Sequence, residues 1–190
     1  MSQINIAGDT SGSIAIAAPL VAGSNTLTLP ASTGTVLTSV SPASSLPSSI
    51  NGPAFSAYQS VQQTGVSATT WTKITLTTEN FDTNNNYASS RFTPTVAGYY
   101  QINGSVTIVS TTNTHFVFCA IYKNGAAYSQ ASGILGNSNF YPQSTVSTLV
   151  YLNGSTDYVE LYAYGSAGGA YSIYNLLENT NFSGSLVRSA

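Results

Sequence analysis

Catalysis needs side chains that move protons, attack carbon or hold metal, and this chain has few of them. His115 is the sole histidine and Cys119 the sole cysteine. Six carboxylates are spread over 190 residues. Glu79 and Asp82 stand three apart beside a turn-like run, Asp82 to Asn86. Asp157 and Glu160 fall on opposite faces of an alternating segment, because strand side chains alternate. Neither pair has the convergence that general acid/base work requires. One histidine with scattered carboxylates builds no Ser-His-Asp arrangement, so His115 reads as a structural or rim residue. Cys119 lies between Phe118 and Ala120-Ile121 and reads as a small buried hydrophobe. A single cysteine allows no intrachain disulfide and no cysteine metal site. There is no phosphate loop and no dinucleotide fingerprint. The expectation is a protein without catalysis, cofactor or metal.

Binding residues are a different matter. The segment from Thr156 to Tyr164 alternates, so Asp157, Val159, Leu161 and Ala163 share one face while Tyr158, Glu160, Tyr162 and Tyr164 share the other. Val159 and Leu161 suit a sandwich interior. The opposite face should be polar, yet it carries three tyrosines. From His115 to Tyr122 both faces are apolar, with Phe116, Phe118, Ala120 and Tyr122 on one and Val117, Cys119 and Ile121 on the other. A strand apolar on both faces needs a second partner outside its own sandwich. Phe116, Phe118, Tyr122, Tyr158, Tyr162 and Tyr164 are therefore the expected contact surface between copies of the chain. Tyr171 and Tyr174 follow a glycine-rich loop and read equally as subunit contact or as a platform for sugar rings.

The composition limits the partners. Only 5% of residues are charged and 42% are hydrophobic, against about a quarter charged in ordinary domains. The net charge is −2, and Lys73, Arg91, Lys123 and Arg188 are scattered. No basic patch neutralises phosphates, so nucleic acid is not an expected partner. No apolar run approaches the roughly 20 residues of a membrane span, and no secretory signal pattern stands at the N-terminus. The expected setting is a reducing cytoplasm.

The elements that must position these residues read as β throughout. Ala54–Tyr58, Trp71–Leu76, Tyr99–Val109, His115–Tyr122, Gln143–Leu152, Thr156–Tyr164 and Phe182–Val187 predict strands, and Asn124-Gly125 and Asn153-Gly154 predict hairpin turns. No helix-length periodicity appears. Many short strands at this spacing predict an all-β sandwich or jelly roll over residues 53–190. Residues 39–52, rich in Ser, Pro and Gly, read as a linker. Residues 1–38 form a short β-rich arm of alternating pieces bounded by Gly or Pro. Such an arm has too few apolar residues to close its own core. Ile14, Ile16, Leu27 and Leu29 are its expected buried anchor on another surface.

Four motifs in order, Pro53-Ala54-Phe55-Ser56-Ala57-Tyr58, Phe92 to Tyr100 with Gly98-Tyr99, Asp157-Tyr158-Val159-Glu160-Leu161, and Asn181-Phe182-Ser183-Gly184-Ser185-Leu186, resemble the complement C1q globular-head and tumour-necrosis-factor-like family. There are three departures, one of them a short segment before Phe92. Ile102 and Gly104 occupy positions usually held by aromatics, and Ser155-Thr156 separates Gly154 from Asp157. The resemblance implies a two-sheet jelly roll assembled as a compact homotrimer. In some members it also implies calcium held by loop oxygens, for which Glu79, Asp82 and Asn84 to Asn86 are the candidates here. The composition of that run favours a solvated Asn-rich turn instead. Gly12 to Pro19, Thr26 to Pro30 and Thr33 to Val36 resemble segments of bacteriophage tail and head-fibre proteins. Together the resemblances imply a virion protein made in the host bacterial cytoplasm, a trimeric knob decorating or cementing a capsid through its arm. Its partners would be copies of itself and phage capsid or tail proteins. The alternatives are a receptor-binding tip of a tail fibre that binds host surface carbohydrate, and a free lectin-like trimer.

Overall fold

The structure is a computed structural model, and it describes residues 3–7, 13–17, 52–109, 115–137, 140–166 and 168–190. The chain divides into two units, Met1–Thr38 and Ser39–Ala190. In the first, β1 (Gln3–Ala7) and β2 (Ser13–Ala17) pair antiparallel, with Ile4 opposite Ile16 and Ile6 opposite Ile14. Leu27 and Leu29 lie outside the described residues.

The second unit is the knob. Its strands in order are β3 (Ala54–Tyr58), β4 (Gln63–Val66), β5 (Thr72–Lys73), β6 (Thr78–Asp82), β7 (Tyr87–Ala88), β8 (Arg91–Phe92), β9 (Ala97–Val109), β10 (His115–Lys123), β11 (Ala126–Gln130), β12 (Ile134–Gly136), β13 (Gln143–Asn153), β14 (Val159–Ser166), β15 (Tyr171–Ile173) and β16 (Asn181–Ser189). They form two antiparallel sheets. One runs β11-β10-β14-β8-β7, with β12 on β10 and β5 on β14. The other runs β4-β15-β9-β16-β3-β6, with β13 on β9. This is the all-β jelly-roll sandwich expected from the strand pattern.

The core lies between the sheets, and the motifs that carried the resemblance converge in it. Phe55 stacks on Phe92 and on Tyr87, with centroids at 4.3 and 5.1 Å, and meets Phe182 edge-on at 4.9 Å. Phe92 in turn meets Tyr100 edge-on at 5.6 Å. Val117, Cys119 and Ile121 from β10 and Val159, Leu161 and Ala163 from β14 extend the core on one side, and Ile102, Ile108, Val150 and Leu152 from β9 and β13 belong to the same cluster. Gly104 explains one departure from the motif. A side chain there would collide with Leu161, which occupies the space an aromatic would need. Ile102 beside it is fully buried.

Local chemistry moved some predicted boundaries. Of residues 71–76, only Thr72–Lys73 form regular strand. Beyond them the backbone N–H of Thr75 donates to the Gln63 side chain and that of Leu76 to the Ser90 hydroxyl. Side-chain acceptors there replace the ladder. The strand expected from Thr156 begins at Val159, because side chains capture the preceding amides. Asn153 Oδ1 accepts from the N–H groups of Ser155, Thr156 and Asp157, and Asn124 Oδ1 from that of Tyr158. Asn124-Gly125 is the expected tight turn, with positive φ at both residues, and it joins β10 to β11. Asn153-Gly154 is not a hairpin: β13 and β14 belong to different sheets, so the turn carries the chain across the sandwich. Gly154 is at φ 71° and packs on the backbone of Val96 and Ala97, which leaves no room for a side chain.

Candidate functional site

The knob has two outward sheet faces, and they differ in chemistry. The β10–β14 face carries the aromatic residues singled out in the sequence. Antiparallel register places Phe118 opposite Tyr164, Ala120 opposite Tyr162 and Tyr122 opposite Glu160. Tyr122 and Tyr162 stack with centroids at 3.9 Å. Phe116, Phe118 and Tyr164 form a second group with centroids 5.5–6.2 Å apart. Trp71, which the sequence reading did not place here, joins the groups by contacting Tyr122 and Tyr164 at 5.9 and 5.4 Å. Tyr158 precedes the strand, and its ring lies under the Arg91 guanidinium at 3.7 Å. All six predicted residues are half-buried, each covered partly by its neighbours.

Glu160 shares this outward face and is nonetheless 2% exposed. Its Oε1 accepts from Lys73 Nζ at 2.6 Å and from Arg91 Nε at 2.8 Å. Burial pushes the carboxyl's pKa up. Hydrogen bonds and charge from the two cations outweigh that and hold it below the usual carboxylate range. Tyr162 is raised, first by burial and then by the nearby Glu160 charge.

The β9–β13–β16 face is different. Its end near Asn181 is covered by the chain's own loop: Ser105 and Thr107 hydroxyls donate to Asn179 O, and the Gln143 amide donates to Glu178 O and Asn179 O. Its middle is a satisfied polar network, in which Gln101 Nε2 donates to Ser147 Oγ and Ser147 to Asn103 Oδ1, at 2.9 and 2.8 Å. The end where the knob begins is open and apolar. Tyr99, Leu149, Tyr151 and Val187 are 44, 51, 41 and 58% exposed there. Tyr99 and Tyr151 are opposite in register with rings 5.5 Å apart. A groove of about 530 Å3 runs past Tyr99, Leu149, Val187 and the C-terminal Arg188 to Ala190. The sequence reading missed this patch. Its signal was present: in the alternating run 143–152, Leu149 and Tyr151 fall in phase with Gln143, Thr145 and Ser147.

The remaining polar candidates are built into the fold. His115 is buried with Nε2 3.2 Å from Phe140 O. Cys119 is buried and its thiol is pushed up to about 11, which suits an inert hydrophobe. Asp82 accepts from the N–H groups of Asn84 and Tyr87, so its carboxylate organises the Asn-rich turn. Tyr171 is 2% exposed and belongs to the core, whereas Tyr174 stays half-buried and pairs with Tyr141 at 5.5 Å. Among the described residues no group of three His, Cys, Asp or Glu side chains comes together.

With this geometry in place, the knob can be set beside solved structures. It overlays the globular domain of zebrafish complement 1qA protein with a TM-score of 0.51 at 16% identity, covering 73% of this chain and 98% of that one. The knob is a jelly roll of the C1q/TNF type. The Eiger TNF of S. frugiperda overlays with a TM-score of 0.51 at 10% identity, over 72% of this chain and 93% of that one. Murine APRIL gives 0.50 at 9% identity, over 70% and 98%. No family model matches the sequence, and no curated protein matches it either. At these identities the C1q/TNF-type likeness is one of fold. The knob's own surface must supply the functional argument.

Proposed function

We propose that this chain is a non-enzymatic structural protein of a bacteriophage particle, a homotrimeric knob that decorates or cements the capsid through its N-terminal arm. Three things support the reading: the C1q/TNF-type fold, whose resemblance implies a trimer; the phage-fibre likeness of the arm; and a surface almost without charge. The observation that carries it is the open apolar end of the β9–β13–β16 face. Tyr99, Leu149, Tyr151 and Val187 form a contiguous patch of aromatic and aliphatic side chains beside the C-terminus. Interface cores are enriched in such residues and depleted of charge.

This patch, rather than the β10–β14 aromatics, is the favoured contact between copies. Phe116, Phe118, Tyr122, Tyr158, Tyr162 and Tyr164 already cover one another, so docking a neighbour there removes less apolar surface from water. The gain from burial scales with that area. Light scattering at micromolar concentration tests the assembly. Three times the 19.7 kDa chain mass is expected, and a clean monomer overturns it.

The arm is proposed as the particle anchor, with Ile14, Ile16, Leu27 and Leu29 as the buried side chains. The paired strands β1 and β2 bring Ile14 and Ile16 into register with Ile6 and Ile4. Two strands make only a marginally stable unit alone, and a partner surface would complete them. Sedimentation with particles lacking the protein tests this. The full chain should pellet with them, and a chain starting at Gly52 should stay in solution.

A further inference from the structure

Two of the four basic residues in the chain line one cavity. Lys73 and Arg91 stand at its wall, and Asn85, Ser89, Thr93 and Thr95 form much of the rest. The cavity holds about 500 Å3, within the size range of small-ligand sites. It lies beside the β10–β14 face and shares no lining residue with the groove at the patch proposed for self-association. We propose that it binds an acidic sugar residue, a uronate, through the carboxylate.

The charge balance gives the first argument. Lys73 and Arg91 share a single carboxylate oxygen, Glu160 Oε1. Two cations against one anion leave one positive charge over. Among the described residues neither Glu79 nor Asp82, the two carboxylates between Lys73 and Arg91 in the sequence, pairs with either cation. One excess charge suits a monoanion.

The donor geometry gives the second. Arg91 uses Nε for Glu160, and its plane is fixed by the Tyr158 ring beneath it. Among the described residues its two Nη groups donate to nothing. A fixed guanidinium with a free edge is the group that matches a carboxylate. Lys73 adds a second, point-like cation. The Arg91 side chain is 42% exposed, so a ligand can reach it.

The rest of the wall gives the third, and it selects a sugar over a bare anion. Ser89 and Asn85 are exposed and Thr93 is half-buried, and among the described residues the two hydroxyls and the Asn85 side-chain amide have no hydrogen-bond partner within the chain, so all three face the opening. Ser89 and Asn85 sit at φ 52° and 53°, in a left-handed conformation that side chains rarely adopt. Neutral donors and acceptors in this arrangement match ring hydroxyls. The site needs no contact from the arm and stands independently of the particle reading.

Calorimetric titration of the full-length protein tests the proposal, with glucuronate, glucose and inorganic phosphate as separate probes. Glucuronate should bind in the millimolar range, more weakly as salt is raised because charge contacts are screened, and glucose should give no heat. Arg91→Lys keeps the charge and loses the fork, and should weaken glucuronate about tenfold. Thr93→Val leaves the ion cluster intact and should also weaken it, which guards against a fold effect of the arginine change. Glucuronate binding that is absent, or unaltered in both variants, overturns the site. Phosphate binding tighter than glucuronate overturns the sugar assignment.

Discussion

Phe55 stacks face to face on Phe92 at 4.3 Å, although 36 residues separate them in the chain. The contact joins β3 of one sheet to β8 of the other, and Tyr87, Phe182 and Tyr100 gather around it. Both rings are essentially fully buried. Phe92→Ala should therefore cost about 3–5 kcal/mol, read as a lowered urea midpoint. A loss of under about 1 kcal/mol would mean that the ring is not part of the packed core.

Gly104 and Leu161 should be coupled. Gly104→Ala places a methyl against the Leu161 side chain and should cost about 1–3 kcal/mol by overpacking. In a Leu161→Ala background the same change should be nearly free, since the collision is gone. The double-mutant cycle measures this directly. Simple additivity would show that Gly104 is required for another reason.

Glu160 should make stability depend on acid. Its folded carboxyl titrates below the unfolded value, so its contribution is complete above the unfolded pKa of about 4.3. It is lost as pH falls through that value and on through the depressed folded one. Glu160→Gln should lower the melting temperature at pH 7, and its melting curve should flatten against pH below about 4.5. Equal acid sensitivity in both proteins would assign the effect to other carboxylates.

Leu149→Asp should dissociate the proposed trimer, because an unpaired carboxylate would enter the proposed apolar contact at a cost of several kcal/mol. Tyr162→Asp, on the other face, should leave the assembly intact while perturbing the Tyr122 stack. Light scattering separates them. The reverse outcome would return the contact to the β10–β14 aromatics.

Ile14→Asp with Ile16→Asp should leave knob assembly unchanged and abolish co-sedimentation with particles. If the double variant pellets as the parent does, the anchor lies elsewhere in the chain.

The sequence by itself determined the all-β character, most strand positions and the inward residues. Alternation is a local property, and Val117, Cys119, Ile121, Val159 and Leu161 could be assigned to the interior from it. Asn124-Gly125 was legible for the same reason, since its turn depends on two residues. The meeting of Phe55, Phe92, Tyr100 and Phe182 was legible only as an ordered set of motifs, because nothing local says which distant rings touch. Three matters were left to the tertiary structure. Whether Asn153-Gly154 closes a hairpin depends on where β14 pairs. Whether outward aromatics stay open depends on neighbours such as Trp71, 51 residues before Tyr122, which covers them from another segment. And Glu160 looked like an exposed partner of three tyrosines until Lys73 and Arg91, 87 and 69 residues earlier, were brought onto one of its oxygens. Burial and charge pairing are sums over the whole fold, and alternation along one strand carries only the direction in which each side chain points.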